Sequence, residues 1–341
     1  MKPIVIIGGG LAGLTLGIGL RQRGVPVTLW EAGRYPRHRV CGEFISGDGQ
    51  ITLERLGLRS LLDHAGAIPV RNAQFIAGAN HSPIRELPAA IGLSRFILDA
   101  QLATEFQRLG GELRVNERFN SSETEGVVRA SGRRPHPTEN GWRWFGLKVH
   151  VRNADLAADL EMHLGRDHYM GVNRIDHNEV NVCGLFRARP GQSPTETGLN
   201  LLRGAPGTAL QERLAKAEFD EASFCSVAGL SLQPQRAISK TECCIGDALT
   251  LIPPVTGNGM SMAFESAELA ISPLAAFSRG ELTWDEARQI VATDCDHKFA
   301  RRLRWARTLQ TLMFSKLPQS AVGSCLLKSD WLWKFFHERT R

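Results

Sequence analysis

The feature that most constrains this chain is its opening, PIVIIGGGLAGLTLGIGLRQRGVPVTLWEAG, in which an apolar run, a glycine cluster and a second apolar run follow in order. Ile4 to Ile7 is a short β-branched run that predicts a strand. Gly8, Gly10 and Gly13 then spell G-x-G-x-x-G. The first glycine of that pattern permits a tight turn, the second lets backbone approach a pyrophosphate, and the third lets a helix pack close to the strand. The helix N-terminus brings unpaired N–H groups and a partial positive charge to the phosphates. Gly24 marks the end of this helix, Val25 to Trp30 predicts the next strand, and Glu31 falls where a carboxylate meets ribose hydroxyls. Glycine turns are common, but strand, glycines, helix, strand and terminal acid in register specify a dinucleotide-binding unit.

The bulk properties narrow the classes. The chain has 341 residues, enough for about two domains, and is 43% hydrophobic and 22% charged, as globular proteins are. No apolar run approaches the ~20 residues that span a bilayer, and residues 1–8 are too short for a signal-peptide core. The expected location is cytoplasmic, with peripheral membrane contact as an option. Seven cysteines without a CxxC pair argue against a disulfide framework and against structural zinc, so no metal is expected. The net charge of +6 is concentrated in residues 298–341, where ten Lys/Arg face two Asp/Glu. No nucleic-acid module accompanies that basic tail, so nucleic acid is not an expected partner.

A nicotinamide dehydrogenase would continue with a second mononucleotide half. This chain runs instead into RYPRHRVCGEFIS, where Arg37, His38 and Arg39 precede Cys41 and Gly42. A matching signal comes late, in ECCIGDALTLIPPVTGNGMSMAFESAELA, residues 242–270. Cys243 to Ile245 predicts a buried strand, Gly246-Asp247 a turn, and Pro253-Pro254 a rigid loop; Gly257 and Gly259 open a helix near Met260. Asp247 is suited to accept from sugar-like hydroxyls, and the amides of Thr256 to Met260 to donate to an electron-rich ring.

These two blocks, PR…CGE and GD…PPxTGxGMxxAxESA, resemble FAD-dependent oxidoreductases of the glutathione-reductase-like fold, in the branch of geranylgeranyl reductases and aromatic-ring flavin hydroxylases. The resemblance covers residues 1–275 or so. It implies an α/β fold with a Rossmann-like FAD-binding domain, an antiparallel-sheet substrate domain and a C-terminal helical extension. On this reading residues 1–67, 95–135 and 236–280 form the FAD-binding domain, 68–94 and 136–235 the substrate domain, and 281–341 the basic extension. Gly8, Gly10, Gly13 and Glu31 would hold the ADP half of FAD, and Arg37 would contact the flavin. Arg95, in LSRFILDAQLA, matches the family's arginine beside the cofactor. Asp247 would meet the ribityl chain or pyrophosphate, and Gly257, Asn258, Gly259 and Met260 the pyrimidine edge. Cys41 and Gly42 would reach the isoalloxazine; the matching cysteine of geranylgeranyl reductases lies beside the flavin, which makes Cys41 the catalytic candidate. Where related enzymes carry Asp-Gly before an arginine, this chain has Ser131 in RASGRRP. That departure leaves the external reductant open between NAD(P)H and another electron donor.

Leu147 to Val151 and Val180 to Leu185 predict half-buried antiparallel strands, with a hairpin turn at Asn178-Glu179. Trp142, Trp144, Phe145 and Tyr169 are the aromatic candidates for the substrate pocket, against the alternative of ordinary sheet packing. The histidines are scattered singly, and no general acid stands out. In the tail, Phe299, Leu303, Ala306, Gln310 and Met313 fall on one helical stripe, with Arg301, Arg302, Arg304 and Arg307 largely off it. A second apolar segment holds Leu326, Leu327, Trp331, Leu332, Trp333, Phe335 and Phe336. The tail is read as a cap on the FAD domain, with an acyl-carrier protein or an anionic membrane surface as the alternative partners.

The function expected from the resemblance is FAD-dependent reduction or dehydrogenation of a carbon–carbon bond by hydride exchange at flavin N5. The substrate class is lipophilic: isoprenoid, polyketide or carrier-bound. The alternatives are an FAD-dependent monooxygenase and a non-catalytic flavin-binding redox sensor or partner subunit.

Overall fold

A computed structural model describes residues 1–122, 124–191, 198–314 and 329–339. Its first layer is a five-stranded parallel sheet in the order Cys243–Cys244, Val127–Arg129, Ile4–Ile7, Val27–Glu31, Glu112–Val115. The helix Leu11–Arg21 leaves the first strand through the glycine turn and is buried from Leu11 through Leu20. It is covered by the helices Arg95–Arg108 and Gly259–Arg279, so its apolar surface is enclosed on several sides and the sequence shows no clean amphipathic stripe. The α/β architecture read from the sequence is therefore present. The late strand at Cys243–Cys244 joins the sheet beside Val127–Arg129, which brings residues 242–270 back to the opening motif.

The second layer is an eight-stranded sheet. Its main path runs Glu218–Ala228, Arg143–Arg152, Glu179–Ala188, His168–Arg174, Leu160–Leu164, Asn72–Ala77, Asn80–His81, with Arg85–Glu86 also paired to Asn72–Ala77. Pairing is antiparallel except between Leu160–Leu164 and Asn72–Ala77. Two of these strands are longer than the sequence suggested, because Arg143–Arg152 and Glu179–Ala188 pair along their whole length. The turn between His168–Arg174 and Glu179–Ala188 closes through Ile175 N–H to the Glu179 carbonyl at 3.0 Å. One face carries Leu147, Val149, Val151, Val172, Val182 and Phe186 into a core shared with Leu202 and Leu210. Both faces are thus covered, which blurs the alternation expected of a sheet with one wet side. A small three-stranded sheet, Phe44–Ser46, Ala90–Gly92 and Ile68–Pro69, sits at the junction of the layers.

The helix Trp284–Met313 starts at a capping box, Thr283 with Glu286, and packs on Gly259–Arg279. Its buried stripe includes Phe299, Leu303, Ala306 and Gln310, as the spacing predicts. Arg302 departs from that reading. It is 3% exposed and bonds Glu265 at 2.7 Å and Asp48 at 3.0 Å, because a buried carboxylate on the facing helix requires a cation opposite it. The last described helix, Asp330–Arg339, returns to the large sheet: Asp330 pairs with Arg85 at 3.0 Å, and Trp333 meets Phe75 edge-on at 5.0 Å. Leu326 and Leu327 lie outside the described residues, and the side chains of Leu332 and Phe336 are not among those described. No described helix is long and apolar enough to cross a membrane.

Arg302→Met should leave the buried Glu265 with the half-exposed Lys298 ammonium, 3.6 Å away, as its remaining cation among the described residues. The expected loss is about 3 kcal/mol in denaturant unfolding. Adding Glu265→Gln should recover much of that loss; no recovery would show that the helix contact, not the ion pair, carries the effect.

Candidate functional site

One cleft of 2320 Å³ runs from the glycine turn, between the two sheets, to the C-terminal helices. Ligand pockets for single small molecules are about 300–1,000 Å³, so this cleft has room for an extended dinucleotide and a substrate together.

At its first end, Gly8 has φ of +108°, and a Cβ there would lie 2.4 Å from the Ala130 carbonyl oxygen. A Cβ at Gly13 would lie 2.0 Å from the Gly8 oxygen, whereas one at Gly10 meets nothing within 4 Å and projects into the cleft. Gly8 and Gly13 are therefore glycine for the fold, and Gly10 for whatever occupies the cleft. Glu31 ends its strand buried, accepting from Gly9 N–H at 2.9 Å, Gly33 N–H at 2.8 Å, Arg37 at 2.7 Å and Arg39 at 3.2 Å. Burial pushes its carboxyl up, but the Gly33 amide and the two guanidiniums outweigh burial and hold it below the usual carboxylate range. Arg37 lines the cleft while paired to Glu31. Trp30 and Phe119 form an edge-on aromatic pair, ring centres 5.7 Å apart, in the wall beside them.

The chain then enters residues 41–43, which the large sheet and the start of the Arg95 helix hold. Glu43 is fully buried in the left-handed region at φ +53°. Its carboxylate accepts from the Arg95 backbone N–H at 2.9 Å and pairs with His150 Nε2 at 2.6 Å; Lys148 Nζ stands 3.6 Å away. Burial raises its carboxyl, and the His150 bond with the Lys148 charge more than reverses this, so the group stays an anion. Asn181 donates to the Cys41 carbonyl at 2.9 Å, and Asn173 to the Glu43 carbonyl at 3.0 Å. Lys148 is itself fully buried and donates to His38 Nδ1 at 3.0 Å. Burial, then the Lys148 and His150 charges, push His38 down to about 4. Its ring is accordingly neutral near pH 7, with the proton on Nε2, and stacks on Phe96 at 4.4 Å.

Cys41 and Gly42 line the cleft above this clamp, and a Cβ on Gly42 would meet nothing within 4 Å. Burial pushes the Cys41 thiol up against the opposing pull of Arg95. Arg95, the first residue of its helix, is held in a two-bond pair with the buried Asp99, 2.7 Å each, and its side chain is 11% exposed rather than freely solvated. Asp247 lines the cleft on the far side; burial raises its carboxyl, and Arg133, Arg95 and Arg39 oppose that rise. Gly257, in a left-handed turn at φ +65°, Gly259 and Met260 also line it, while Asn258 is buried at the start of their helix. The structure thus brings Gly10, Glu31, Arg37, Cys41, Gly42, Arg95, Asp247, Gly257, Gly259 and Met260 to one cleft. Ser131, at the departure from the family pattern, lines it too.

The aromatic expectation needs correction. Trp142 and Tyr169 line the cleft. Trp144 is buried against Phe314, ring centres 4.9 Å apart, and is not among the residues that line the cleft. Phe145 points to the opposite face, stacked on Phe186 at 5.3 Å, because neighbours on a strand alternate sides. Leu160, Met162, Leu164, Leu185, Met313 and Trp333 complete an apolar stretch that the sequence reading did not assemble. Their signal was weak: apolar residues spread over four segments. Cys183 and Cys225 flank Lys148 in register on adjacent strands and line the cleft as well. No His, Cys, Asp and Glu grouping among the described residues has the makings of a metal site. Gly10 offers a cradle that a Cβ would fill, beside a buried acid and two arginines, and this set fits the ADP half of FAD.

Residues 6–43 match the family of NAD(P)-binding Rossmann-like domains. Squalene epoxidase erg1 of Aspergillus fumigatus is 40% identical over 68 residues, 20% of this chain and 14% of that protein, so the match spans only a small part of it. Among solved structures, the flavin-dependent brominase Bmp2 superposes with a TM-score of 0.77 at 17% identity, covering 98% of this chain and 92% of the other. PqsL of Pseudomonas aeruginosa, described as a probable FAD-dependent monooxygenase, gives 0.68 at 14% identity over 99% of both chains. At these identities the likeness establishes the fold, which this chain shares with flavin-dependent enzymes along nearly its whole length.

Gly10→Val should fold with a melting temperature close to the parent's and purify without flavin, whereas Gly13→Val should unfold at far lower temperature, since its Cβ strikes backbone. Chromatography of the flavin released on denaturation, beside thermal unfolding, checks both. Histidine NMR should show His38 titrating near 4, and Lys148→Met should raise that midpoint. Because the unfolded His38 takes its proton near 6.5 and the folded one near 4, stability should fall as pH drops through that window.

Proposed function

We propose that the protein is an FAD-dependent oxidoreductase acting on a lipophilic substrate. The observation that carries this reading is the continuity of one cleft, with a phosphate cradle at Gly10, the clamped Cys41–Gly42 segment in its middle and an apolar wall beyond. When bound, FAD supplies two-electron hydride chemistry. Gly8 to Gly13, Glu31 and Arg37 would hold its ADP half, and Arg95, Asp247 and residues 257–260 its flavin half. Leu160, Met162, Leu185 and Tyr169 would exclude water from the substrate.

The finer reading supported by the chain's own residues is reduction or dehydrogenation of a carbon–carbon bond. Burial keeps the Cys41 thiol protonated near neutral pH, so it holds a transferable proton where the apolar wall begins. A second reading, insertion of an oxygen atom, is favoured by the resemblance to PqsL and by the segment shared with squalene epoxidase. Among the described residues no lysine lines the cleft, and Lys148 is committed to His38 and Glu43 beneath it. The basic helix faces, Arg301, Arg304 and Arg307 among them, are exposed and suit an anionic membrane surface or an acidic carrier protein.

Lipophilic molecules that co-purify with the protein should be incubated with it under isotopically heavy oxygen and a reductant. Gain or loss of two hydrogens without heavy oxygen supports hydride exchange; a product carrying heavy oxygen overturns it in favour of oxygenation. Cys41→Ser should keep FAD and lose most of the turnover. Unchanged flavin content, redox potential and turnover would show that Cys41 only packs.

A further inference from the structure

The inner face of the large sheet changes character along its length. One cross-strand row holds His150, Asn181 and Asn173, which grip the Cys41–Glu43 segment. The next row holds Lys148 and Cys183. Four residues beyond Cys183 on the same strand stands Arg187, roughly 13 Å further on at the usual strand rise. Between them the wall is Leu185, with Tyr169 opposite it on the neighbouring strand. The cleft therefore has an inner end at Cys41 and an outer end at Arg187, joined by apolar surface.

That outer end is positively charged. The Arg187 guanidinium is fixed by Asp167, Nε to Oδ1 2.9 Å, and by donation to the Phe314 carbonyl at 3.0 Å. It lies 4.2 Å from the centre of the Trp142 ring, and the Arg189 guanidinium lies 4.4 Å from the same ring. Arg166 sits in the turn beside Asp167, and that turn is tied to the strand by Arg187 N–H to the Asp167 carbonyl at 2.9 Å. All three arginines line the cleft, and among the described residues Asp167 is the carboxylate paired with them. Arg166 and Arg189 are exposed and have no described acidic partner. Two guanidiniums against one indole, with Arg166 close by in the turn, give the rim of an apolar channel planar N–H donors of the kind that pair with carboxylate and phosphate groups.

We propose that Arg166, Arg187 and Arg189 form an anion-binding site for the carboxylate or phosphate end of an amphiphilic substrate, whose apolar body lies along the sheet toward Cys41. The proposal rests on the lipophilic-substrate reading above. A substrate held at its charged end has its other end delivered to Cys41, so the site sets the position along the chain that reacts.

Calorimetric titration of the purified full-length protein with dodecanoate, dodecyl phosphate and dodecanol tests this. The two anions should bind about tenfold or more tightly than the alcohol, the gain expected for charge-assisted hydrogen bonds. The double variant Arg166→Met, Arg189→Met replaces exposed side chains, so it should fold as the parent does and lose most of that preference. Arg187→Met, which also frees Asp167, should remove the remainder. A phosphate preferred over a carboxylate points to a phosphorylated substrate, and the reverse to a free acid; either supports the site. Dodecanol binding as tightly as the anions, or an anion preference that survives all three substitutions, overturns the anion site and leaves the lipophilic reading standing. Binding of none of the probes overturns both.

Discussion

Glu43 is the contact on which the site depends. A fully buried carboxylate is costly unless its charge is met, and here an N–H from the start of the Arg95 helix, the His150 ring and the Lys148 ammonium meet it. The donors come from both layers, the helix from the nucleotide-binding side and the two side chains from the large sheet. One residue therefore pins the two layers together. It does so from a left-handed backbone conformation, φ +53°, that a glutamate adopts only when its surroundings enforce it. With Glu43 fixed, and Asn173 and Asn181 holding the carbonyls of Glu43 and Cys41, Gly42 and Cys41 are tethered on both sides where they line the cleft.

The charges along the cleft follow from that arrangement. At the first end Glu31 collects two amides and two arginines, so the loop after the second strand is folded back onto the glycine turn. Arg37 and Arg39 are then near the route that an extended cofactor must take, with Glu31 balancing them. In the middle Lys148 lies under the floor, and burial together with its charge keeps His38 neutral, so a neutral ring and the thiols of Cys41, Cys183 and Cys225 line this part of the cleft. At the outer end the arginines around Trp142 return, with Asp167 the acid paired with them among the described residues.

Much of the nucleotide half was legible in the sequence because local spacing dictates it. Gly8, Gly10, Gly13 and Glu31 lie in one continuous stretch, and the late Gly-Asp block carries its own turn and helix start. The rest depends on register between distant strands. Lys148, His150, Asn173 and Asn181 read as stray polar residues in apolar strands until pairing sets them side by side. Glu43 was visible as the last letter of the CGE motif, yet nothing local says that its partners lie more than a hundred residues away. Phe145 was misplaced because a sheet covered on both faces loses the alternation that would have assigned it, and Arg302 because a helical stripe does not reveal a buried acid on its neighbour.

We propose that the Glu43 clamp presents Cys41 and Gly42 to a flavin whose phosphates rest over Gly10. The most direct measurement is a crystal structure of the protein with FAD. Pyrophosphate should lie against Gly10, with the isoalloxazine in van der Waals contact with Gly42 and the Glu43–His150 bond intact. An FAD whose ring lies away from Cys41 and Gly42, or a clamp broken when the cofactor is bound, would contradict it.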